Sequence, residues 1–430
     1  MSAAASPSAP TPAQSKSRRV NVRTPEVMER VQAEVETHYR SVLVENLRTA
    51  GGFMTVGNTT VRLARDFGFC YGVERAIDLA YAARRVFADK QVYLLGEIIH
   101  NPEVNRQLTE MGIVSIPISQ HMETVSKLGP DDVVIVPAFG AETRLMNIIS
   151  ERGCLVVDTT CGDVMSVWKR VRGYAKQGFT SIIHGKASHE ETRATSSRAQ
   201  GDDGKGHFVV VLTLDDVDYV CDYIRHGGDR EVFLKRFAGA MSPGFDPDLH
   251  LKRVGVANQT TMLKSETEEL QRRVQKAVID RDGPDAVQQN FQVFDTICGA
   301  TQERQDSLFE MLRKPLDILL VVGGYNSSNT THLVEIGEKE LPTFFIRTAE
   351  LLKSFTEIVH FDLHLKAEKT SYSEKLASKE PIVVGITAGA SCPNNLIEDT
   401  ILRVFELRGE APELVKEEVA RAAAAQRTGG

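Results

Sequence analysis

One short pattern recurs three times along this chain: an apolar strand, an Asp, and a Cys followed closely by Gly. It reads VVDTTCG from Val156 to Gly162, VFDTICG from Val293 to Gly299 and, more loosely, RDFGFCYG from Arg65 to Gly72. Downstream of each cysteine a second strand ends in a Gly-bearing polar loop: LLGEIIHN, IIHGKASHEE and VVGGYNSSN. A third strand and small-residue loop follow, as VVIVPAFGAE, VGVANQTT and VVGITAGAS. The offsets from Cys70 to His100, from Cys161 to His189 and from Cys298 to Ser327 are nearly equal. Such self-similarity is the mark of repeated structural units that stack on one another. Because α/β sheets present ligands beyond the carboxyl ends of their strands, the expected fold is α/β. It has three similar α/β lobes around a pseudo-threefold axis, with Cys70, Cys161 and Cys298 meeting at the centre.

The repeat also sets expected boundaries. Residues 61–160 form lobe 1 with the first of the three cysteines, 161–297 form lobe 2, and 298–407 form lobe 3. Gly201 to His250 in lobe 2 and roughly Phe355 to Glu380 in lobe 3 break the pattern and read as insertions. Residues 1–24, rich in Ala, Ser and Pro, read as a disordered tail, and 25–60 as a helical extension. Within that extension Pro25 to Arg48 reads as one helix, with Thr24 as its N-cap. Residues 408–430 read as an exposed C-terminal helix or tail, helix-forming but weakly amphipathic.

Charge and apolar runs narrow the partners. With 51 Lys and Arg against 58 Asp and Glu, a formal charge of -7, the chain has no general basic field for nucleic acid or anionic lipid. Runs such as Val133 to Ala138 and Ile318 to Val322 fall far short of the roughly 20 residues a membrane helix needs. Six cysteines without a CxxC pair fit neither a disulfide framework nor a zinc ribbon. A bacterial cytoplasm is therefore the expected compartment, placed ahead of a plastid, although the tail composition also suits a transit peptide.

Cys154, Cys221 and Cys392 lack the Cys-Gly context and read as small buried hydrophobes. Cys70, Cys161 and Cys298 occupy one repeat position, where a close-packed Gly lets the backbone approach something bulky. Three thiolates could hold zinc or an iron–sulfur cluster; without a fourth Cys, a cluster with one iron left open is the better fit. Such an iron acts as a Lewis acid on a substrate oxygen. Among the second loops, His189, Glu190 and Glu191 offer an imidazole and carboxylates for proton delivery. Asn326 to Asn329 and Thr387 to Ser391 offer hydroxyls, an amide and backbone N–H groups, the donors that bind anionic oxygens at helix N-termini. Each of these is alone an ordinary helix cap; their recurrence in equivalent loops, with His100, turns them toward one centre.

In these residues the chain resembles the 4-hydroxy-3-methylbut-2-enyl diphosphate reductases. The resemblance runs from about Val61 to Leu407 and rests on GFCYGVERA, GEIIHN, VDTTCG, HEE, NQTT, CGATQERQ, GGYNSSNT and TAGAS in that order. It implies a trefoil-like α/β protein with one [4Fe-4S] cluster that removes the hydroxyl of a small diphosphate substrate using two electrons and two protons. Cys70, Cys161 and Cys298 match the cluster ligands, Glu191 the proton-delivering glutamate, and Thr260 the threonine that orders the substrate hydroxyl. His100, His189, Ser327, Ser328, Asn329 and Ser391 match the diphosphate pocket. Phe139 stands where many members carry a histidine, and Lys186 and Glu190 where others carry His and Pro, a pattern similar to the plant and cyanobacterial branch. With no GxGxxG unit followed by an acid, the implied electron donor is a ferredoxin or flavodoxin. The competing reading is a non-enzymatic iron–sulfur sensor on the same fold, and a structural zinc protein stands behind it.

Overall fold

The computed structural model describes residues 18–294, 296–354, 356–373 and 380–428. Three separate sheets form, and each is built on the same four parallel strands. In lobe 1 these are Val92–Leu95, Ile113–Ile116, Val133–Val136 and Leu155–Asp158. In lobe 2 they are Thr180–His184, Phe208–Val211, Val254–Asn258 and Phe291–Val293. In lobe 3 they are Ile318–Val322, Thr343–Ile346, Ile382–Ala388 and Thr59–Leu63. Across every sheet the strands lie in the same order, second, first, third, fourth. Central strands such as VVIV and ILLVV are buried along their whole length, because helices cover both faces of a parallel sheet.

The fourth strand of lobe 3 comes from the other end of the chain. Thr59–Leu63, read in part as the start of lobe 1, pairs in register with Ile382–Ile386 and not with any strand of lobe 1. Each fourth strand then leads through its Cys loop into a helix that packs in the next lobe. These helices are Tyr71–Val86, Gly162–Lys176 and Gly299–Leu312. Ala76, Ile77, Ala80 and Tyr81 of the first lie in the core of lobe 1, and Leu308 and Met311 of the last lie in the core of lobe 3. The three lobes are thus linked in a closed cycle, with one cysteine at each junction.

Several expectations about the periphery are corrected. Gly201 to His250 is not wholly an insertion: Phe208–Val211 is the second strand of the repeat, hidden behind a polar turn. The helices Leu214–His226, Arg230–Arg236 and Pro247–His250 then occupy the interval before the third strand, longer than the single short α-helix His121–Val125 of lobe 1. In lobe 3 the added segment is an antiparallel hairpin, Glu357–Asp362 with Ala367–Tyr372, extending the sheet at its edge; residues 355 and 374–379 lie outside the described residues. Of the expected tail, 1–17 lie outside the described residues, whereas Arg18–Arg19 pairs with Leu155–Val156 and Val22 is buried.

The single helix expected over Pro25 to Arg48 is two, Pro25–Tyr39 and Val42–Thr49, because the Ser41 hydroxyl accepts from the N–H of Val44 (2.9 Å) and caps the second. Thr24 stands at the first N-terminus but makes no side-chain cap bond. The extension then ends as a strand, Phe53–Val56, antiparallel to Thr59–Leu63. The C-terminal helix Pro412–Thr428 is not free either, since Val415, Val419 and Ala423 are buried on one face, with the helix lying against Val42–Thr49.

The seating of the Cys161 helix on lobe 2 rests on a glycine. Tyr174 lays its ring over Gly255 of the third strand, and its hydroxyl donates to the carbonyl of Val256 (2.8 Å). A Cβ at Gly255 would come within 2.7 Å of three ring atoms. Gly255→Ala is therefore expected to destabilise the protein by about 1–3 kcal/mol, the usual cost of overpacking, read as a lowered urea midpoint; an unchanged midpoint would show that the ring can move aside freely.

Candidate active site

The three repeat cysteines cap the three junction helices, one immediately before each first turn. All three are held by the same bond. The N–H of Cys161 donates to the carbonyl of Ala138 (2.9 Å), that of Cys298 to Thr260 (3.2 Å), and that of Cys70 to Ala390 (3.2 Å). The acceptors lie in PAFG, NQTT and TAGAS, the small-residue loops that follow the third strand of each lobe. One backbone contact, used three times, therefore brings the thiols onto one cavity. At Gly72 a Cβ would stand 2.6 Å from the sulfur of Cys161 and 4.0 Å from that of Cys70, so close packing there needs glycine. At Gly162 and Gly299 an added Cβ meets nothing within 4 Å, so the expectation of close packing holds at Gly72 alone.

The cysteines are half-buried, and burial raises the thiol of Cys161. Cys298 is pushed up to about 12, by burial first and by a hydrogen bond to Asp163 second. Metal binding at such thiols must displace protons. Cys154, Cys221 and Cys392 are instead sealed in three separate apolar cores.

The other walls of the cavity carry His100, His189, Glu191, Thr260, Ser327, Ser328, Asn329 and Ser391. Glu191 sits in the first turn of the helix Glu190–Ala199 and is only 2% exposed. Thr260 holds both of its oxygens: its N–H donates to Oε1 (2.6 Å) and its hydroxyl to Oε2 (3.0 Å). Burial outweighs these two bonds and raises the Glu191 carboxyl to about 7. Since the Thr260 carbonyl also accepts from Cys298, a single residue joins the titrating carboxyl to a thiol. Glu190, by contrast, does not line the cavity.

Opposite lies a set of donors. The Asn329 side chain has its orientation decided by the N–H of Ala390, which donates to Oδ1 (2.8 Å). Its amide nitrogen then faces away, buried and without a hydrogen-bond partner among the described residues. An unsatisfied buried donor costs about 1–3 kcal/mol, which marks a place for an acceptor from outside the chain. The Ser391 hydroxyl lies 3.2 Å from the carbonyl of His100 and 3.4 Å from the Ser327 hydroxyl, which itself caps the helix Ser328–Glu338 through Thr330. Ser328 reaches His332 of the same helix (3.4 Å).

His100, His189 and Glu190 place one ligand atom each within 4.8 Å of one another, close enough to suggest a cation site. Ring chemistry argues against it. His189 Nδ1 accepts from the N–H of Glu191 (3.2 Å), so the proton of the neutral ring is on Nε2, which points at His100 and has no lone pair for a metal. Burial, and then the neighbouring His100 and Lys186, hold His189 near 3 and hence neutral. His189 is therefore a donor into the cavity. Phe139 lies flat against His100, with centroids 4.2 Å apart and planes 19° apart. Phe139, already marked in the sequence as a departure from the family pattern, lines the cavity; one contributor escaped the reading of the sequence, Glu97, whose carboxylate meets His100 Nδ1 at 2.9 Å. The only signal for Glu97 is an acid three residues before a histidine in GEIIHN.

Known proteins resemble this chain along most of its length. A family described as LytB protein matches residues 61–405. The chain is 46% identical over 384 residues to the 4-hydroxy-3-methylbut-2-enyl diphosphate reductase of Thermosynechococcus vestitus (strain NIES-2133 / IAM M-273 / BP-1), covering 89% of this chain and 93% of that protein. To the protein of the same name in Gloeobacter violaceus (strain ATCC 29082 / PCC 7421) it is 48% identical over 384 residues, 88% of this chain and 90% of that one. Its fold is shared with the solved E-1-hydroxy-2-methyl-but-2-enyl-4-diphosphate reductase of Plasmodium falciparum, with a TM-score of 0.58 at 20% identity, covering 82% of this chain and 90% of that chain.

The environment of Glu191 has a direct spectroscopic consequence. Burial disfavours its charged form, so the carboxyl should be protonated below about 7 and ionised above. An infrared difference between wild type and Glu191→Gln should show the carboxylic acid C=O band vanish with a midpoint near 7. A midpoint near the ordinary 4.5 would mean that water reaches the group.

Proposed function

The chain belongs to the LytB protein family, and on that premise we propose that it reduces 4-hydroxy-3-methylbut-2-enyl diphosphate to isopentenyl diphosphate and dimethylallyl diphosphate, the last step of the methylerythritol phosphate route to isoprenoids. The observation that carries this reading is a single cavity with three thiols, a buried carboxyl that titrates near neutrality, and an orphaned amide donor among hydroxyls and imidazoles. Family membership implies an iron–sulfur cluster. The donor set fits one: three soft thiols at three helix N-termini, whose positive dipole ends favour a negatively charged group. In the finer reading, Cys70, Cys161 and Cys298 hold one [4Fe-4S] cluster. When bound, that cluster would supply electrons and a Lewis-acidic iron for the substrate oxygen.

The chain's own residues do the rest. His100, His189, Ser327, Ser328, Asn329 and Ser391 hold the diphosphate, fixing which end of the substrate faces the cysteines. Thr260 orients the substrate hydroxyl, and Glu191 gives it a proton, so that it leaves as water. A carboxyl near 7 serves as a proton donor at neutral pH where an ordinary one does not. Two electrons and two protons balance the reaction. In the absence of a nucleotide-binding fingerprint the electrons come from a ferredoxin or flavodoxin, and the reaction is assigned to the bacterial cytoplasm. No described helix is long and apolar enough to cross a membrane. A sensor on this fold would have no use for Glu191, whose burial is costly unless the group reacts.

Two outcomes are expected. Serine in place of Cys70, Cys161 or Cys298 should abolish iron and sulfide binding after anaerobic reconstitution, while Cys154→Ser, Cys221→Ser and Cys392→Ser retain it; the opposite pattern in iron counts would overturn the ligand assignment. Glu191→Gln should cut turnover by about 10² to 10⁴ with the visible spectrum and substrate affinity nearly intact. Turnover equal to wild type would remove Glu191 from the mechanism, and a comparable loss in Glu190→Gln alone would transfer its role.

A further inference from the structure

The hydrogen-bond directions around His100 can be followed from one ring to the next. His189 accepts at Nδ1 from the Glu191 N–H, so its proton is on Nε2. That nitrogen lies 3.3 Å from His100 Nε2. Because His189 can only donate there, His100 Nε2 accepts, and the single proton of a neutral His100 sits on Nδ1, where it is donated to Glu97 (2.9 Å). In the ligand-free protein His100 consequently turns no N–H toward the cavity.

An anion arriving in the pocket changes the acceptor that His189 prefers. A phosphate oxygen is a stronger acceptor than a neutral ring nitrogen, so the His189 N–H turns to it. His100 Nε2 is then left as a lone pair facing negative charge. It becomes a donor only by taking up a proton, and the ring then carries a positive charge. Resting on the reading of this cavity as a diphosphate pocket, we infer that Glu97 is a positioning residue: it fixes the tautomer of His100 and supports the imidazolium through which His100 grips the diphosphate.

The surroundings agree with this role. The flat ring of Phe139 at 4.2 Å gives a cation a favourable face. Glu190, from the lobe 2 loop, has a carboxylate oxygen 3.7 Å from Nε2 and adds to the same effect. The other titratable groups around it are His189, Lys186 and Glu191: His100 and Lys186 act electrostatically on His189, and His100 on Glu191. His100 is 8% exposed and Glu97 37%, so the carboxylate faces water while touching a buried ring. Diphosphate binding should therefore take up a proton, and affinity should fall as pH rises.

The test is calorimetric titration of inorganic diphosphate into the anaerobic, cluster-loaded protein, in buffers of different ionisation heat. Glu97→Gln keeps an oxygen that can accept from Nδ1 but removes the charge. It should weaken binding roughly three- to tenfold, modest because Glu97 is partly exposed. It should also lower the proton uptake relative to wild type, a difference in which protonation of diphosphate itself cancels, while leaving the visible spectrum unchanged. Equal affinity and equal proton uptake in Glu97→Gln and wild type would overturn the inference, as would weaker binding with unchanged uptake, which is all a packing role would produce. His100→Phe separates the two levels. If it binds diphosphate as tightly as wild type, the pocket assignment itself fails; if it weakens binding while Glu97→Gln does not, only the role of Glu97 fails.

Discussion

Three backbone hydrogen bonds, from the N–H groups of Cys70, Cys161 and Cys298 to the carbonyls of Ala390, Ala138 and Thr260, hold the centre of this protein together. Each runs from a cysteine loop to the small-residue loop on the neighbouring strand of the same sheet. The acceptor position must let two loops approach closely, and it is occupied by a small residue, Ala or Thr, each time. Because the strand before each cysteine belongs to one lobe and the helix after it to the next, these contacts also define how the lobes meet. A shift at one of them would misplace a thiol and a junction helix together.

The same loops create a gradient of polarity across the cavity. On one side Thr260 binds Glu191 through its N–H and hydroxyl while its carbonyl accepts from the Cys298 N–H, so the buried carboxyl and one cysteine share a partner. On the other side stand hydroxyls, imidazoles and an amide, and the amide nitrogen of Asn329 is unsatisfied among the described residues. A substrate with an anionic end and a neutral hydroxyl is oriented by this asymmetry before any chemistry begins. Leaving a donor orphaned and a carboxyl dehydrated both reduce stability. Such features persist where a ligand supplies what the fold withholds.

How much of this was legible in the sequence depended on whether the relevant signal was local. The repeat was readable because each unit carries its own short motif, and the cavity residues were readable because they cluster in the same three kinds of loop. The membership of Thr59–Leu63 in the third sheet was not, since pairing with Ile382–Ile386 leaves no mark in either segment alone. Phe208–Val211 was hidden because the Gly- and Asp-rich turn before it looks like the beginning of an insertion. The buried face of Pro412–Thr428 is small and Ala-rich, so Val415, Val419 and Ala423 make a faint stripe. Glu97 was out of reach for a different reason: its significance lies in which nitrogen of His100 it meets, and that depends on a third residue, His189, from another lobe.

On the proposed function, Cys70, Cys161 and Cys298, and no fourth residue, would hold one cluster in the cavity that Glu191 and Thr260 also line. Mössbauer spectroscopy of isotopically enriched, anaerobically loaded protein tests it most directly. Roughly one quarter of the iron should differ from the rest, and addition of 4-hydroxy-3-methylbut-2-enyl diphosphate should shift that fraction alone. Four indistinguishable irons, or a substrate-induced change spread across the whole cluster, would contradict the account.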